Sequence, residues 1–307
     1  MTLSPVAECV MNVSEGRDET CLQTLAQTVV STPGAFLLDL AADIDHHRCV
    51  YTFVGSPEAL VQAALALSRK AIELLNLNNH QGVHPRVGVV DVIPFIPLSG
   101  VSMSLCIETA QKLGAILGEQ LQLPVFLYDQ AARPPGRSLA ELRQGGLEAL
   151  HARMKNNHVW KPDFGPTTPH PTAGVVCIGA RKFLIAFNMY LSTSNVAVAR
   201  TVATRIREKD GGLPGVKALG VLIASRGQAQ ITTNLVDYRQ TSLVQLFETT
   251  RREVRQLGAD LLSSQIVGLA PQNALALDDS VKLQLEKPAS ESILEDRIRR
   301  IWREVNI

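Results

Sequence analysis

The strongest constraint on the fold is an order of predicted secondary-structure elements that occurs twice along the chain. Apolar runs bounded by turn residues predict strands, and apolar residues at helical spacing predict amphipathic helices. In the first half the order is strand, helix, strand, strand, helix, strand, over residues 8–13, 18–29, 35–40, 48–54, 57–74 and 87–95. Asp18 is the expected N-cap of the first helix, and Pro57 suits the start of the second.

The same order returns in the second half, over residues 183–190, 197–207, 216–224, 229–236, 243–256 and 262–269. Such a unit builds a ferredoxin-like fold, an antiparallel sheet with helices on one face. We therefore predict an α+β protein with two ferredoxin-like (βαββαβ) subdomains in tandem, residues 1–178 and 179–307. A helix at 103–121 and a strand at 124–128 extend the first subdomain, and a charged helix at 291–305 ends the second.

Charge and hydropathy argue against several classes of function. The 30 basic and 29 acidic residues nearly cancel, so a nucleic-acid-binding surface is not indicated. No apolar stretch approaches the length of a membrane span, and the first ten residues lack the features of a signal peptide. The five cysteines are odd in number and none are at metal-ligand spacing, which suits free thiols in a reducing cytoplasm. We expect a cytoplasmic protein.

Residues 133–174, between the predicted halves, are rich in proline and glycine. This composition is typical of turns and linkers. A segment at a subdomain junction can also form the wall of a ligand site, because pockets favour such junctions. The residues alone leave both interpretations open.

Ionisable side chains crowd two predicted loops. Residues 43–48 lie between the second and third strands, residues 80–86 follow the long helix, and together they hold four of the seven histidines. Pro85 prevents a regular helix through His80 and His84, and it drives His84 toward an extended conformation. A histidine held in a stiff turn beside a strand suits a catalytic base. The alternative, that both histidines only satisfy buried backbone groups, stays open.

The triplet Asp45-His46-His47 is also the signature of the DHH phosphoesterases, which bind divalent metal. That family places an aspartate-rich strand near its N-terminus. The first predicted strand here, residues 8–13, has no such aspartate pair. The metal-dependent phosphoesterase is therefore a remote alternative.

Seven blocks of the sequence, spread over residues 6–271, resemble the formiminotransferase family. They are residues 8–17, 45–55, 80–88, 91–97, 163–166, 179–188 and 264–269. The third block reads His-Gln-Gly-Val-His-Pro-Arg-Val-Gly, and the family's catalytic histidine is the second histidine of this block. The resemblance implies the same fold of two ferredoxin-like subdomains, and it places the catalytic histidine at His84.

The resemblance implies a transferase that moves a formimino group from N-formimino-L-glutamate to tetrahydrofolate and releases glutamate. Such an enzyme serves one-carbon metabolism and histidine degradation, uses tetrahydrofolate as co-substrate without a metal, and is a cytoplasmic homodimer. The family's folate-binding stretch falls on ten residues of the segment between the halves. They are Gly165, Pro166, Thr167, Thr168, Pro169, His170, Pro171, Thr172, Ala173 and Gly174.

The reaction requires one nitrogen to lose a proton and another to gain one. An imidazole with a pKa near neutrality can do both in turn, and we assign this role to His84. The glutamate carboxylates of both substrates call for guanidinium partners. Candidates within the matching blocks are Arg48, Arg86 and Arg181, with His80 as a further contact. Asp39 or Asp45 could hold the cationic formimino group or orient a histidine, and we expect the site in a groove between the halves.

The chain departs from the family at three positions. Val83 stands where the family often has glutamate, and Met11 and Val13 replace the usual proline and phenylalanine of the first block. Two alternatives therefore remain: a folate-binding relative that uses another one-carbon donor, and a non-catalytic folate-binding module.

Overall fold

The computed structural model describes residues 5–156 and 158–305. By its internal contacts the chain divides into two compact units, Met1–Arg181 and Lys182–Ile307. Each unit contains one sheet. The predicted α+β class with two tandem subdomains is confirmed.

The first unit begins with the predicted strand–helix–strand–strand–helix–strand order. These elements are β1 (Val6–Val13), α1 (Glu19–Val30), β2 (Ala35–Asp43), β3 (Arg48–Gly55), α2 (Pro57–Leu74) and β4 (Val90–Ser99). The expected caps are present: the Asp18 side chain accepts from the backbone N of Cys21, and the helix that starts at Pro57 is capped by Ser56. Side-chain capping satisfies backbone donors that have no partner within the helix.

Three further elements extend this unit: α3 (Met103–Gln120), β5 (Val125–Asp129) and β6 (Val176–Ala180). The sheet order is β2-β3-β1-β4-β6-β5. The first four strands are antiparallel neighbours, and β6 joins β4 and β5 in parallel. Residues 176–180 were not predicted as a strand, because this short apolar run directly follows the proline-rich segment.

The core of the first unit lies between the sheet and α1, α2 and α3. Alternate residues of β1 point to this side, as the period of a strand requires, and Cys9, Met11 and Val13 are fully buried there. Tyr51 and Phe53 contribute from β3. The opposite side of β1 carries Glu8, Val10 and Asn12, so polar side chains of this strand emerge on the face away from the helices.

The segment 133–174 is more ordered than a linker. It contains α4 (Leu139–Arg143) and α5 (Gly146–Asn156), and α4 starts with a capping box between Ser138 and Glu141. Leu142, Leu150 and Met154 pack against Phe126 and Tyr128, on the face of β5 opposite to the main core. Of the two interpretations left open for this segment, a simple linker does not describe it, because it contains two packed helices. Its role as the wall of a ligand site stays a prediction.

The second unit repeats the arrangement. Its elements are β7 (Ile185–Leu191), α6 (Val196–Ile206), β8 (Val216–Ile223), β9 (Gln228–Leu235), α7 (Leu243–Gln256), β10 (Leu261–Val267), α8 (Asp279–Lys282) and α9 (Leu294–Val305). The antiparallel sheet has the order β10-β7-β9-β8, which matches the relation of β4, β1, β3 and β2 in the first unit. In the part of the chain that the structure describes, no helix is long and apolar enough to cross a membrane.

Candidate active site

The first ionisable cluster forms the turn of the β2–β3 hairpin. One oxygen of the Asp43 carboxylate accepts from the backbone N of Asp45 (2.9 Å) and of His46 (2.8 Å). The same oxygen lies 3.0 Å from Nδ1 of His46. The turn closes through His47, whose φ is +48°. Aspartate at the first position of a turn stabilises it in this way, so the local sequence alone places the His46 ring.

The second cluster lies on top of this turn. His80 donates from Nε2 to the backbone O of His47 (2.6 Å), and the rings of His47 and His80 stack with centroids 4.2 Å apart. A Cβ at Gly82 would lie 2.4 Å from the backbone O of His46, so only glycine permits this close approach. The two loops that hold four histidines are thus brought together.

His80 supports the loop from a buried position. Its side chain is bonded to the hairpin backbone, and Arg86 donates to its carbonyl O (2.6 Å). Burial lowers the pKa of His80 to about 4. At neutral pH this ring is therefore uncharged and serves as a hydrogen-bonding brace between the loops.

His84 stands at a bend of the second loop with its side chain partly exposed. Its Nδ1 lies 2.8 Å from the backbone O of Pro85. A carbonyl oxygen can only accept, so we assign the ring hydrogen to Nδ1, which leaves the lone pair on Nε2. Burial, and then the positive charges of Arg48 and Arg143, hold the pKa of His84 well below its usual range. The ring is neutral at pH 7, with Nε2 as its basic atom.

Arg48 connects three adjacent strands behind His84. It donates to Oδ1 of Asn12 from Nε (2.9 Å) and Nη2 (2.6 Å), and to Oδ2 of Asp91 from Nη1 (2.7 Å). The same Nη1 is 3.3 Å from Nδ1 of His84. Since Nδ1 already donates to Pro85, this last contact is a close approach of charge to the ring.

Asp91 is completely buried and shared by two arginines. Arg143, the last residue of α4, donates to the same Oδ2 as Arg48, and the backbone N of Val87 donates to Oδ1 (2.8 Å). Burial opposes ionisation, yet Arg143 and Arg48 outweigh it and lower the pKa of Asp91 to about 2. Burial and the neighbouring Arg143 lower the pKa of Arg48 to about 10. Two guanidinium groups on one carboxylate leave one net positive charge beside His84.

The C-terminal end of the predicted folate-binding stretch, residues 165–174, lies beside the His84 loop. Residues 170–174 form a tight turn in which His170 and Gly174 exchange backbone hydrogen bonds of 2.8 and 3.0 Å. Gly174 also pairs with Gly88, just after the loop. At the other end, Gly165 lies against the backbone of Leu123. The stretch thus spans from the C-terminal end of α3 to the His84 loop.

The remaining predicted contacts lie at several places in the first unit. Arg86 bonds to the backbone of the loop, and Asp45 is in the hairpin turn beside His46. Asp39 lies on β2 opposite Thr52 of β3. Arg181 is buried just after β6, where its backbone N donates to Phe95 O (3.1 Å). Of the three predicted arginine clamps, Arg48 is the one with a close approach to the ring of His84.

Sequence reasoning missed Asn12, Asp91 and Arg143. Asn12 and Asp91 lie within blocks that resemble the formiminotransferase family, so a signal for them was present. Arg143 had no such signal, because it ends a short helix inside residues 133–174, whose composition is typical of turns and linkers. Among residues 5–156 and 158–305, no group of three or more His, Cys, Asp or Glu side chains is placed to hold a metal ion.

The chain is similar to known proteins over nearly its whole length. Residues 6–181 match the family model of the formiminotransferase domain, N-terminal subdomain, and residues 186–301 match that of the formiminotransferase domain. A glutamate formimidoyltransferase of Streptococcus pyogenes serotype M1 is 37% identical, with 92% of this chain and 95% of that protein covered. Another, of Thermoplasma acidophilum, is 40% identical, with 96% and 98% covered.

A longer protein is also similar. The formimidoyltransferase-cyclodeaminase of Rattus norvegicus is 42% identical over 280 residues, which cover 89% of this chain and 51% of that protein. The chain therefore spans about half the length of this relative.

Proposed function

The chain belongs to the formiminotransferase family, and from this membership we propose that it transfers a formimino group from N-formimino-L-glutamate to tetrahydrofolate and releases glutamate. The similarity to two glutamate formimidoyltransferases over more than nine-tenths of the chain supports this activity. Both family models together reach from residue 6 to residue 301.

The exposure, charge and orientation of the His84 ring are the structural observations that support this proposal. Its ring is partly exposed, neutral at pH 7, and oriented by Pro85 so that Nε2 is the basic atom. A general base must have a fixed position and an available lone pair, and this ring has both. We assign His84 the removal of the proton from the attacking amine of tetrahydrofolate.

The step begins when the folate amine attacks the formimino carbon and forms a tetrahedral intermediate. The attacking nitrogen then loses its proton to His84, and the glutamate nitrogen gains a proton as it leaves. The amidinium carbon is already electrophilic, so the chemistry depends on proton transfer and on holding two substrates together. General acid–base catalysis of this kind contributes about a hundredfold to ten-thousandfold in rate.

Charge balance supports a carboxylate site beside His84. Arg48 and Arg143 share the single carboxylate of Asp91, which leaves a positive charge for an anionic substrate. We propose that Arg48 acts through this charge, since its nitrogens already bond to Asn12 and Asp91. Arg86, Arg181, His80, Asp39 and Asp45 remain candidate substrate contacts.

We place the folate on residues 165–174. The pairing of Gly174 with Gly88 supports this assignment, because it keeps one end of the stretch beside the His84 loop. We also retain three expectations from the sequence: a subdomain boundary between residues 178 and 179, a cytoplasmic location, and a homodimer.

The activity is tested by mixing the pure protein with tetrahydrofolate and formiminoglutamate. Formation of formimino-tetrahydrofolate, followed by absorbance, together with release of glutamate in equal amount, is the expected result. If the protein binds tetrahydrofolate but makes no product from formiminoglutamate, a relative with another one-carbon donor is favoured. The same assay with formylglutamate in place of formiminoglutamate tests that alternative.

A further inference from the structure

A second imidazole lies close to His84. The rings of His46 and His84 have centroids 6.0 Å apart and planes inclined by 54°. They come from different loops, the β2–β3 turn and the loop after α2. At this distance the two rings are close enough to act on the same small substrate.

Both rings are oriented through the same atom. Nδ1 of His46 lies 3.0 Å from the Asp43 carboxylate, and Nδ1 of His84 lies 2.8 Å from the Pro85 carbonyl. Neither Nε2 atom has a hydrogen-bond partner among the residues that the structure describes. Each imidazole therefore has one nitrogen that fixes the ring, and its Nε2 is the other; the His46 ring is largely buried and the His84 ring is partly exposed.

The two rings are held by different kinds of partner. His46 bonds through Nδ1 to the Asp43 carboxylate, and this bond favours the ionised state of that carboxylate. His84 bonds to a neutral carbonyl and faces Arg48, with Arg143 behind it, which disfavours the imidazolium. One ring on a carboxylate and a neighbouring ring beside a guanidinium are an arrangement suited to separate acid and base roles.

We propose that His46 is a second catalytic residue, which donates a proton from Nε2 to the departing glutamate nitrogen, and that Asp43 positions it. This inference rests on the proposed formimino transfer and divides its two proton transfers between two rings. A single histidine would have to reach both nitrogens in turn, whereas a pair can serve each nitrogen from its own side.

The step balances in atoms and charge. The folate amine forms a bond to the formimino carbon, and Nε2 of His84 accepts the proton that the amine loses. Nε2 of His46 gives its proton to the glutamate nitrogen as the bond from that nitrogen to the carbon breaks, with the electron pair remaining on nitrogen. His84 then loses one proton to solvent and His46 regains one, so both rings return to their starting states.

The decisive experiment compares kcat and KM for the wild type and H46Q. We expect kcat to fall by about a hundredfold or more, with little change in KM for either substrate. Adding imidazole to H46A should restore part of the lost kcat in proportion to its concentration. The matched control is H151Q on α5, which should keep the wild-type kcat.

D43N provides a second measurement that does not remove the ring. It should lower kcat less than H46Q does, and the double variant D43N/H46Q should be no worse than H46Q alone. A folded H46Q with wild-type kcat would overturn the proposal. If thermal unfolding shows that H46Q does not fold, wild-type kcat in D43N would overturn it instead. A wild-type protein that makes no product refutes the proposed function itself, which is a separate outcome.

Discussion

Nη1 of Arg48 lies 2.7 Å from Oδ2 of Asp91, and this ion pair crosses the sheet from β3 to β4 over the intervening strand β1. Asn12 of β1 accepts two further bonds from the same guanidinium. Three strands are thereby tied together directly behind His84. The same pair that holds the sheet also brings positive charge to the candidate base.

Replacing Asp91 should be among the most damaging changes in the first unit. D91N leaves two arginines without their buried counter-charge, and loss of one partner of such a pair costs about 3–5 kcal/mol in the free energy of unfolding. Urea unfolding at pH 7 measures this cost. The control D278N removes an exposed carboxylate that pairs with Lys282, and its stability should stay close to that of the wild type.

The same carboxylate predicts how stability depends on pH. The pKa of Asp91 in the folded protein is about 2, below the value of about 3.9 in an unfolded chain. A lowered pKa contributes stability that is present above pH 4 and is lost as the pH falls toward 2. When urea unfolding is measured between pH 5 and pH 2, the free energy of unfolding of the wild type should fall by more than that of D91N. An equal decline in both proteins would contradict the prediction.

Removal of the His84 imidazole should affect turnover more than binding. H84Q is expected to lower kcat by about a hundredfold to ten-thousandfold, the range of general acid–base catalysis, while the Kd for tetrahydrofolate changes little. Steady-state kinetics and calorimetric titration measure the two effects. Unchanged turnover would refute the role of His84, and loss of folate binding would show that the ring contacts the cofactor.

Arg143 should contribute, after burial and Arg48, to the low pH at which His84 accepts a proton. Its positive charge lowers the pKa of His84, so R143M should raise that pKa and move the acidic limb of the kcat/KM profile to higher pH. An NMR titration of the His84 ring measures the same shift directly. R153M is the control, because Arg153 lies on α5 over the ring of Trp160 and should leave the profile unmoved.

Gly82 should tolerate no side chain. In G82A the new Cβ would meet the backbone O of His46 at 2.4 Å, so the His84 loop must move away from the hairpin. Overpacking of this kind costs about 1–3 kcal/mol, and kcat should fall with it. Thermal unfolding and kinetics test both effects against Q81A, which changes an exposed side chain in the same loop. A G82A protein with wild-type kcat would show that the contact between the loops does not position His84.

Bound tetrahydrofolate should protect residues 165–174 from hydrogen exchange. A ligand that lies on this stretch reduces the opening of its backbone hydrogen bonds, such as those between His170 and Gly174. Mass spectrometry of exchange with and without the ligand gives the measurement. Protection confined to other peptides, with none in 165–174, would place the folate elsewhere.

The elements of the two repeated units were predictable because their signals are local, whereas strand β6 of the first sheet was missed. Apolar alternation and helical spacing identified the twelve elements of the two repeated units, and Asp18 and Pro57 mark helix starts at positions that the structure confirms. The helices α4 and α5 were missed because they are short and lie between prolines and glycines. Their stabilisation comes from Leu142, Leu150 and Met154 packing on the sheet, which is not visible in a local pattern.

By itself the sequence determined the α+β repeat, the family, and the two loops in which the histidines cluster. It could do so because hydrophobic periodicity, turn residues and motif blocks act over a few neighbouring positions. Only the tertiary structure decided that Arg143 reaches Asp91 from a distance of 52 residues along the chain, and that His84 lies near both a second imidazole and the guanidinium of Arg48. These relations depend on which strands become neighbours and on the burial of charge, and both arise from packing between distant segments.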